Sequence, residues 1–155
     1  MHPSSCFAAR LSRTPDHQIP YSKEALKQDL RRLRNAWHDC QARRDRDAVY
    51  GYLTAVFDLV SWWTAENRAL ERAHKALRLQ RICPFDREDP FAAIIRCTAD
   101  PAKVDKRTRS KWSRVLRYAL AYKCHSEPLD QFIKCKGGIN QCAARLRWRH
   151  QPKSR

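Results

Sequence analysis

Glycine is scarce in this chain, with three among 155 residues. β-Branched residues never alternate with polar ones over a useful stretch, so strand signals are missing too. Leu, Ala, Arg and Lys dominate instead, and these favour helix. No apolar run approaches the ~20 residues that a membrane-spanning helix needs. The nearest stretch, Tyr52 to Trp63, is interrupted by Thr54, Asp58 and Ser61, so no membrane partner is expected. A Gly-rich phosphate loop, a nucleophile elbow and an H-E-x-x-H pair are all absent. We therefore expect a protein that is not an enzyme, carries no cofactor, and has no catalytic residue to name.

Carboxylates are the other shortage. Sixteen Asp and Glu face 32 Lys and Arg, which leaves a net charge of +16 and a pI near 10.1. A chain so charged repels itself when compact and attracts polyanions. It is still no disordered chain, because 43% of it is hydrophobic and it holds five Trp, five Tyr and five Phe. At this length about two thirds of the surface can be buried on folding, so one hydrophobic core is within reach.

The seven cysteines stand at positions 6, 40, 83, 97, 124, 135 and 142. Their number is odd and no secretory apolar segment precedes them, which points to reduced thiols and a cytoplasmic location. Cys124, His125, Cys135, Cys142 and His150 crowd into the C-terminal third. Structural zinc sites use close ligand pairs such as C-x₂₋₄-C, and no such pair occurs here. Cys also serves as a small buried apolar residue, so no metal ligand is assigned. His74 and Asn67 lie on a helical apolar stripe, where a polar pair sets register more often than it does chemistry.

Three units follow from the pattern: a disordered N-terminal segment over 1–20, a helical bundle over 21–150, and a basic tail over 151–155. Ser22 is a good N-cap. After it Leu26, Leu30, Leu33, Trp37 and Cys40 step by 4 and 3 residues, which gives one helical stripe. The same stepping runs through Val49, Leu53, Val56, Val60, Trp63, Asn67, Leu70, His74 and Leu77. It predicts one helix from about 46 to about 80, roughly 50 Å long, as the central member of the bundle. Asp89–Pro90 is a cap and first-turn pair opening a short helix through Phe91, Ile94 and Ile95. Asp100–Pro101 repeats the signal ahead of a helix from about Val104 to Lys123. Pro128 opens another, with Leu129, Phe132 and Ile133 inward, and Ile139 to Trp148 makes the last. The expected fold is thus all-α, a single compact bundle of five or six helices with one long central helix. Its core should hold Leu30, Leu33, Trp37, Leu53, Val56, Phe57, Val60, Trp63, Trp112, Val115 and Leu116.

Charge is unevenly placed. Residues 101–155 hold fifteen Lys and Arg against Asp105, Glu127 and Asp130, whereas residues 83–100 hold two bases and four acids. On a wheel of the helix near 104–123, Lys103, Lys106, Arg107, Lys111, Arg114 and Arg117 share about 140° of arc. Val104, Trp112, Val115, Leu116, Ala119 and Leu120 fall opposite, with Tyr118 and Tyr122 near the boundary. An ordinary solvated face mixes signs, and this one has no acid after Asp105. Arg145, Arg147 and Arg149 add charge near the C-terminus, with Trp148 among them.

The segment Leu129 to Trp148, LDQFIKCKGGINQCAARLRW, gives a helix, a Gly137–Gly138 turn and an Ala-Ala helix. It resembles the short helix–turn–helix openings of many bacterial DNA-binding proteins. It departs from them in that a further helix commonly follows and enters the major groove, whereas this sequence ends soon after Trp148. The resemblance implies DNA in preference to RNA as partner. The sequence thus points to a small nucleic-acid-binding regulator or accessory factor. Its expected contact residues are Lys106, Arg107, Lys111, Arg114, Arg117, Arg145, Arg147 and Arg149. The alternative is a helical interaction module, a homodimer through the long second helix or an adaptor on an acidic partner.

Overall fold

The computed structural model describes residues 20–84 and 89–149, without the side chains of Arg147, Trp148 and Arg149. The expected disordered N-terminal segment, apart from Pro20, and the basic tail lie outside the described residues. Among the described residues the fold is all-helical, with no strand. Seven helices follow one another: α1 (Lys23–Ala42), α2 (Ala48–Ala65), α3 (Ala69–Leu79), α4 (Pro90–Thr98), α5 (Lys106–Tyr122), α6 (Leu129–Cys135) and α7 (Ile139–Arg149). That is more than the five or six expected.

The extra helix comes from a break. The long helix expected from 46 to 80 is two helices, α2 and α3, separated at Glu66, Asn67 and Arg68. Asn67 has φ 56°, the left-handed conformation that ends a helix. Its N–H donates to the Thr64 carbonyl at 3.0 Å, and the Arg68 N–H donates to the Trp63 carbonyl at 2.9 Å. Asn tolerates that conformation better than other residues with a side chain, because its short amide can bond locally. The break resets the helical phase. Ala73, Ala76 and Leu77 of α3 are buried, while Leu70 is 53% exposed and His74 only half-buried. A homodimer through one continuous helix had its motive in that 46–80 stripe, and the motive goes with it. Arg81, at φ 57°, ends α3 in the same way, with Ile82 N–H on the Leu77 carbonyl at 2.9 Å.

The central position belongs instead to the nine-residue α4. Asp89 caps it by accepting from the Phe91 and Ala92 N–H groups, with Pro90 in the first turn. Phe91, Ala93, Ile94, Ile95, Cys97 and Thr98 are all buried, so α4 is covered on nearly every side. It packs against α1, α2, α3 and α5. The small side chains Ala73 and Ala76 let α3 come close to it. α1 is capped by Ser22, which accepts from the Ala25 N–H at 3.1 Å, and it turns Leu26, Leu30, Leu33 and Trp37 inward. Every residue of the expected core is buried.

Three large rings tie these helices together. Trp37 of α1, Tyr52 of α2 and Trp112 of α5 meet edge-to-face, with centroids 5.3 to 6.1 Å apart. Such pairs add about 0.5–1.5 kcal/mol each beyond their buried area. The Tyr52 hydroxyl lies 2.7 Å from the Thr98 hydroxyl. Thr98 donates its own proton to the Ile94 carbonyl at 2.8 Å, so the tyrosine is the donor of the pair. Burial pushes the Tyr52 phenol well above its ordinary pKa, and it stays neutral.

Two substitutions test this architecture. Phe57 is 7% exposed and stacks on Phe91 at 6.2 Å. Phe57→Ala should cost about 3–5 kcal/mol in chemical denaturation; a loss below 1 kcal/mol would place it outside the core. Asn67→Ala should destabilise by roughly 1–2 kcal/mol through the left-handed backbone, and Asn67→Gly should cost little or nothing. A stabilising Asn67→Ala would mean that α2 and α3 are one helix after all.

Candidate nucleic-acid interface

α5 begins at Lys106, two residues later than the sequence suggested, because Asp105 rather than Asp100 is its cap. The Asp105 carboxylate accepts from the Thr108 N–H at 2.7 Å. Asp100 instead closes the preceding turn, accepting from the Ala102 N–H at 2.9 Å. Inward, Trp112, Val115, Leu116 and Ala119 are buried, and Ser113 and Tyr118 are buried on the two flanks. The covered arc of α5 is thus wider than its apolar residues alone indicated. Leu120 departs from expectation: it stands at the edge of that arc in the last turn and is 40% exposed.

The cations take what remains of the helix surface. Lys103, Lys106 and Arg107 are exposed, while Lys111, Arg114 and Arg117 are half-buried. Only the N-terminal part of the row is therefore fully open to water. The half-buried members lie with their aliphatic stems along the protein, as long basic side chains do. Arg114 also reaches back, donating from Nε to the Ser110 carbonyl at 3.4 Å. Lys123 turns aside from the row. Its ammonium donates to the Cys124 and Glu127 carbonyls, both at 2.8 Å, and lies 5.3 Å from the centre of the Phe57 ring. Arg109 is half-buried on the inward side.

α5 contains no carboxylate of its own, whereas α1 and α3 each contain at least one. Among the described residues, carboxylates pair with Lys27, Arg32, Arg43, Arg68, Arg72, Lys75 and Lys134. None pairs with Lys106, Arg107, Lys111, Arg114, Arg117 or Arg145 in that set. Lys106 and Arg107 occupy the first turn of α5, where the helix dipole is positive and disfavours cations. Asp105 is the nearby acid, and it is held below the usual carboxylate range. The Thr108 hydrogen bonds are the main cause, and Arg107 and Lys111 add to them.

α7 joins the surface from the side. Gly137 and Gly138 have φ of 97° and 95°, a conformation that favours glycine, and they end α6. A Cβ on Gly137 would also meet Gln141 Cγ at 3.0 Å. The turn brings Cys142, Ala143 and Leu146 into the core. It also packs α7 against α5. Arg145 then stands beside the row, its Nη1 3.4 Å from the Tyr118 hydroxyl. The side chains of Arg147 and Arg149, the other two expected contacts, lie outside the described residues. Cys142 is buried with its thiol 3.9 Å from the Ile133 carbonyl, whereas Cys124, His125 and Cys135 are exposed.

A second polar cluster escaped the sequence reading because it assembles three separated segments. Arg72 of α3 lies 4.3 Å from the centre of the Tyr21 ring and 5.3 Å from that of Trp62. Its guanidinium pairs with Glu66 at 2.6 Å, and the Tyr21 hydroxyl bonds to Asp29. Burial and Asp29 push the Tyr21 phenol well above its ordinary range. Here each charge has an opposite within the protein, in contrast to α5. No helix of the described residues is long and apolar enough to cross a membrane. No family model, curated protein or solved structure matches the chain.

The lowered Asp105 carboxyl gives a pH signature. Its folded-state pKa lies below the unfolded one, so its stabilisation is present above the unfolded value and is lost as pH falls through the folded one. Asp105→Asn keeps a capping side chain but removes this titration. The fall in melting temperature between pH 7 and pH 3 should be smaller in Asp105→Asn than in the native protein. Equal falls in the two would mean that Asp105 does not cap α5 as a carboxylate.

Proposed function

We propose that the protein binds nucleic acid, DNA in preference to RNA, through the cationic face of α5. The observation that carries this reading is the single-signed row itself. α5 has six Lys and Arg and no acid, and no carboxylate among the ion pairs of the described residues reaches its row. A polyanion is the partner whose chemistry answers such a row: it supplies regularly spaced negative charge and releases its own counterions on binding. Arg107, Arg114 and Arg117 serve as phosphate contacts, with Lys106 and Lys111 beside them and Arg145 extending the surface onto α7. Arg147 and Arg149 belong to the same proposed surface by sequence. These contacts position the protein on the backbone and do not read bases. The activity that follows is binding, in the manner of a regulator or accessory factor in the cytoplasm, without catalysis.

Salt dependence tests the reading. With about five phosphates engaged, log affinity for duplex DNA should fall against log salt with a slope near −4 to −5. Replacing Arg107, Arg114 and Arg117 with Ala should weaken binding and bring the slope to near −2, while the helical circular dichroism signal stays. Native and triple-variant proteins that bind alike at matched salt, or a native protein that binds no nucleic acid, would overturn the proposal.

A further inference from the structure

A cavity of about 280 Å³ opens between the start of α1 and the end of α3. Tyr21, Lys23 and Leu26 line it from one segment, and Lys75, Arg78 and Leu79 from the other. Its floor is apolar: Leu26 is buried, and Tyr21 and Leu79 are half-buried. Its rim is cationic. Lys23, Lys75 and Arg78 are exposed, and no carboxylate of the described residues lines the cavity.

The acids nearby leave this charge in excess. Lys23 and Arg78 form no ion pair among the described residues. Lys75 shares Glu71 with Arg68, at 3.1 and 2.9 Å, so one carboxylate answers two cations. Glu24, the acid next to Lys23, pairs with Lys27 at 3.4 Å. The helix dipole accounts for Arg78, which stands in the last turn of α3. It does not account for Lys23, in the first turn of the 20-residue α1, where the dipole favours an anion. Two helices thus bring three cations to the rim of one apolar cavity.

We infer that this cavity binds a small amphiphilic anion, a carboxylate with a short aliphatic body, its head among Lys23, Lys75 and Arg78 and its chain on Leu26 and Leu79. The site goes beyond the nucleic-acid reading and does not depend on it, because no residue of α5 lines the cavity. An uncharged apolar molecule would leave the cations unanswered. A purely polar anion, or a nucleic-acid backbone, has no aliphatic body to place on the floor. The volume falls just below the roughly 300–1,000 Å³ of sites for drug-sized ligands, which suits a shorter molecule.

The test titrates sodium butanoate, hexanoate and octanoate into ¹⁵N-labelled protein and follows the backbone amide shifts. Octanoate should give saturable shifts centred on Lys23, Leu26, Arg78 and Leu79. Affinity should rise about 4-fold for each added CH₂. Octylammonium, with the same chain and the opposite charge, should not bind. The double variant Lys23→Gln with Arg78→Gln should weaken octanoate binding about 3- to 30-fold. Both side chains are exposed, so the fold should be retained. Arg31→Gln, which removes an exposed cation of α1 outside the cavity, should bind octanoate as the native protein does. Shifts that do not saturate or that spread over the surface would overturn the inference. So would equal binding of octylammonium, or an affinity that ignores chain length. Equal weakening in Arg31→Gln and the double variant would also overturn it, by assigning the attraction to net charge alone.

Discussion

The contact on which the rest of the bundle depends is the meeting of Trp37, Tyr52 and Trp112. It joins α1, α2 and α5, and the Tyr52 hydroxyl extends it to Thr98 at the end of α4. Trp112 sits in the second turn of α5, so its ring fixes which side of that helix faces inward. Once Trp112 is placed, Val115, Leu116 and Ala119 follow it into the core by the helical period. Lys106, Arg107, Arg114 and Arg117 are then turned outward together. The charged face is a geometric consequence of an aromatic contact on the opposite side.

Magnitudes explain how α5 tolerates its charge. Burying a Val, Leu or Trp-sized side chain contributes roughly 1.5–3 kcal/mol each, and α5 buries several. Like charges at helical spacing cost only a few tenths of a kcal/mol per pair on a solvated face. Packing therefore outweighs repulsion, and the helix forms without an internal counter-charge. The Arg72 cluster shows the other solution. A half-buried guanidinium there is balanced by Glu66 and covered by Tyr21 and Trp62. The Arg72 side chain is only 12% exposed, and a charge withdrawn that far from water is stabilised by such a partner. One protein thus contains a neutralised cationic site on α3 and an un-neutralised one on α5.

Much of this architecture was legible in the sequence, and its errors have definite causes. The caps Ser22 and Asp89, the inward residues of α1, and the Gly137–Gly138 turn were readable because each depends on local chemistry. Leu70 and His74 were misplaced because the 3-and-4 stepping carries through Asn67 by coincidence. Asn67 was itself the available signal, being tolerant of the left-handed backbone that ended α2. The central role of α4 was hidden because nine residues produce a weak pattern, and only tertiary contact shows that every side is covered. The cation row was legible as an arc on a wheel. The half-burial of Lys111, Arg114 and Arg117 was not, since it depends on how the neighbouring elements pack around α5. The Tyr21–Trp62–Arg72 cluster brings together residues 51 positions apart in sequence and left no local trace.

The central claim is that α5, and not another surface, meets a polyanion. The most direct measurement is a map of backbone amide chemical shifts while unlabelled duplex DNA is added to ¹⁵N-labelled protein. The account predicts shifts concentrated between Lys106 and Tyr122 and at Arg145, with α1 and α3 little changed. Shifts centred instead on Tyr21, Trp62 and Arg72, or spread evenly over the surface, would contradict it.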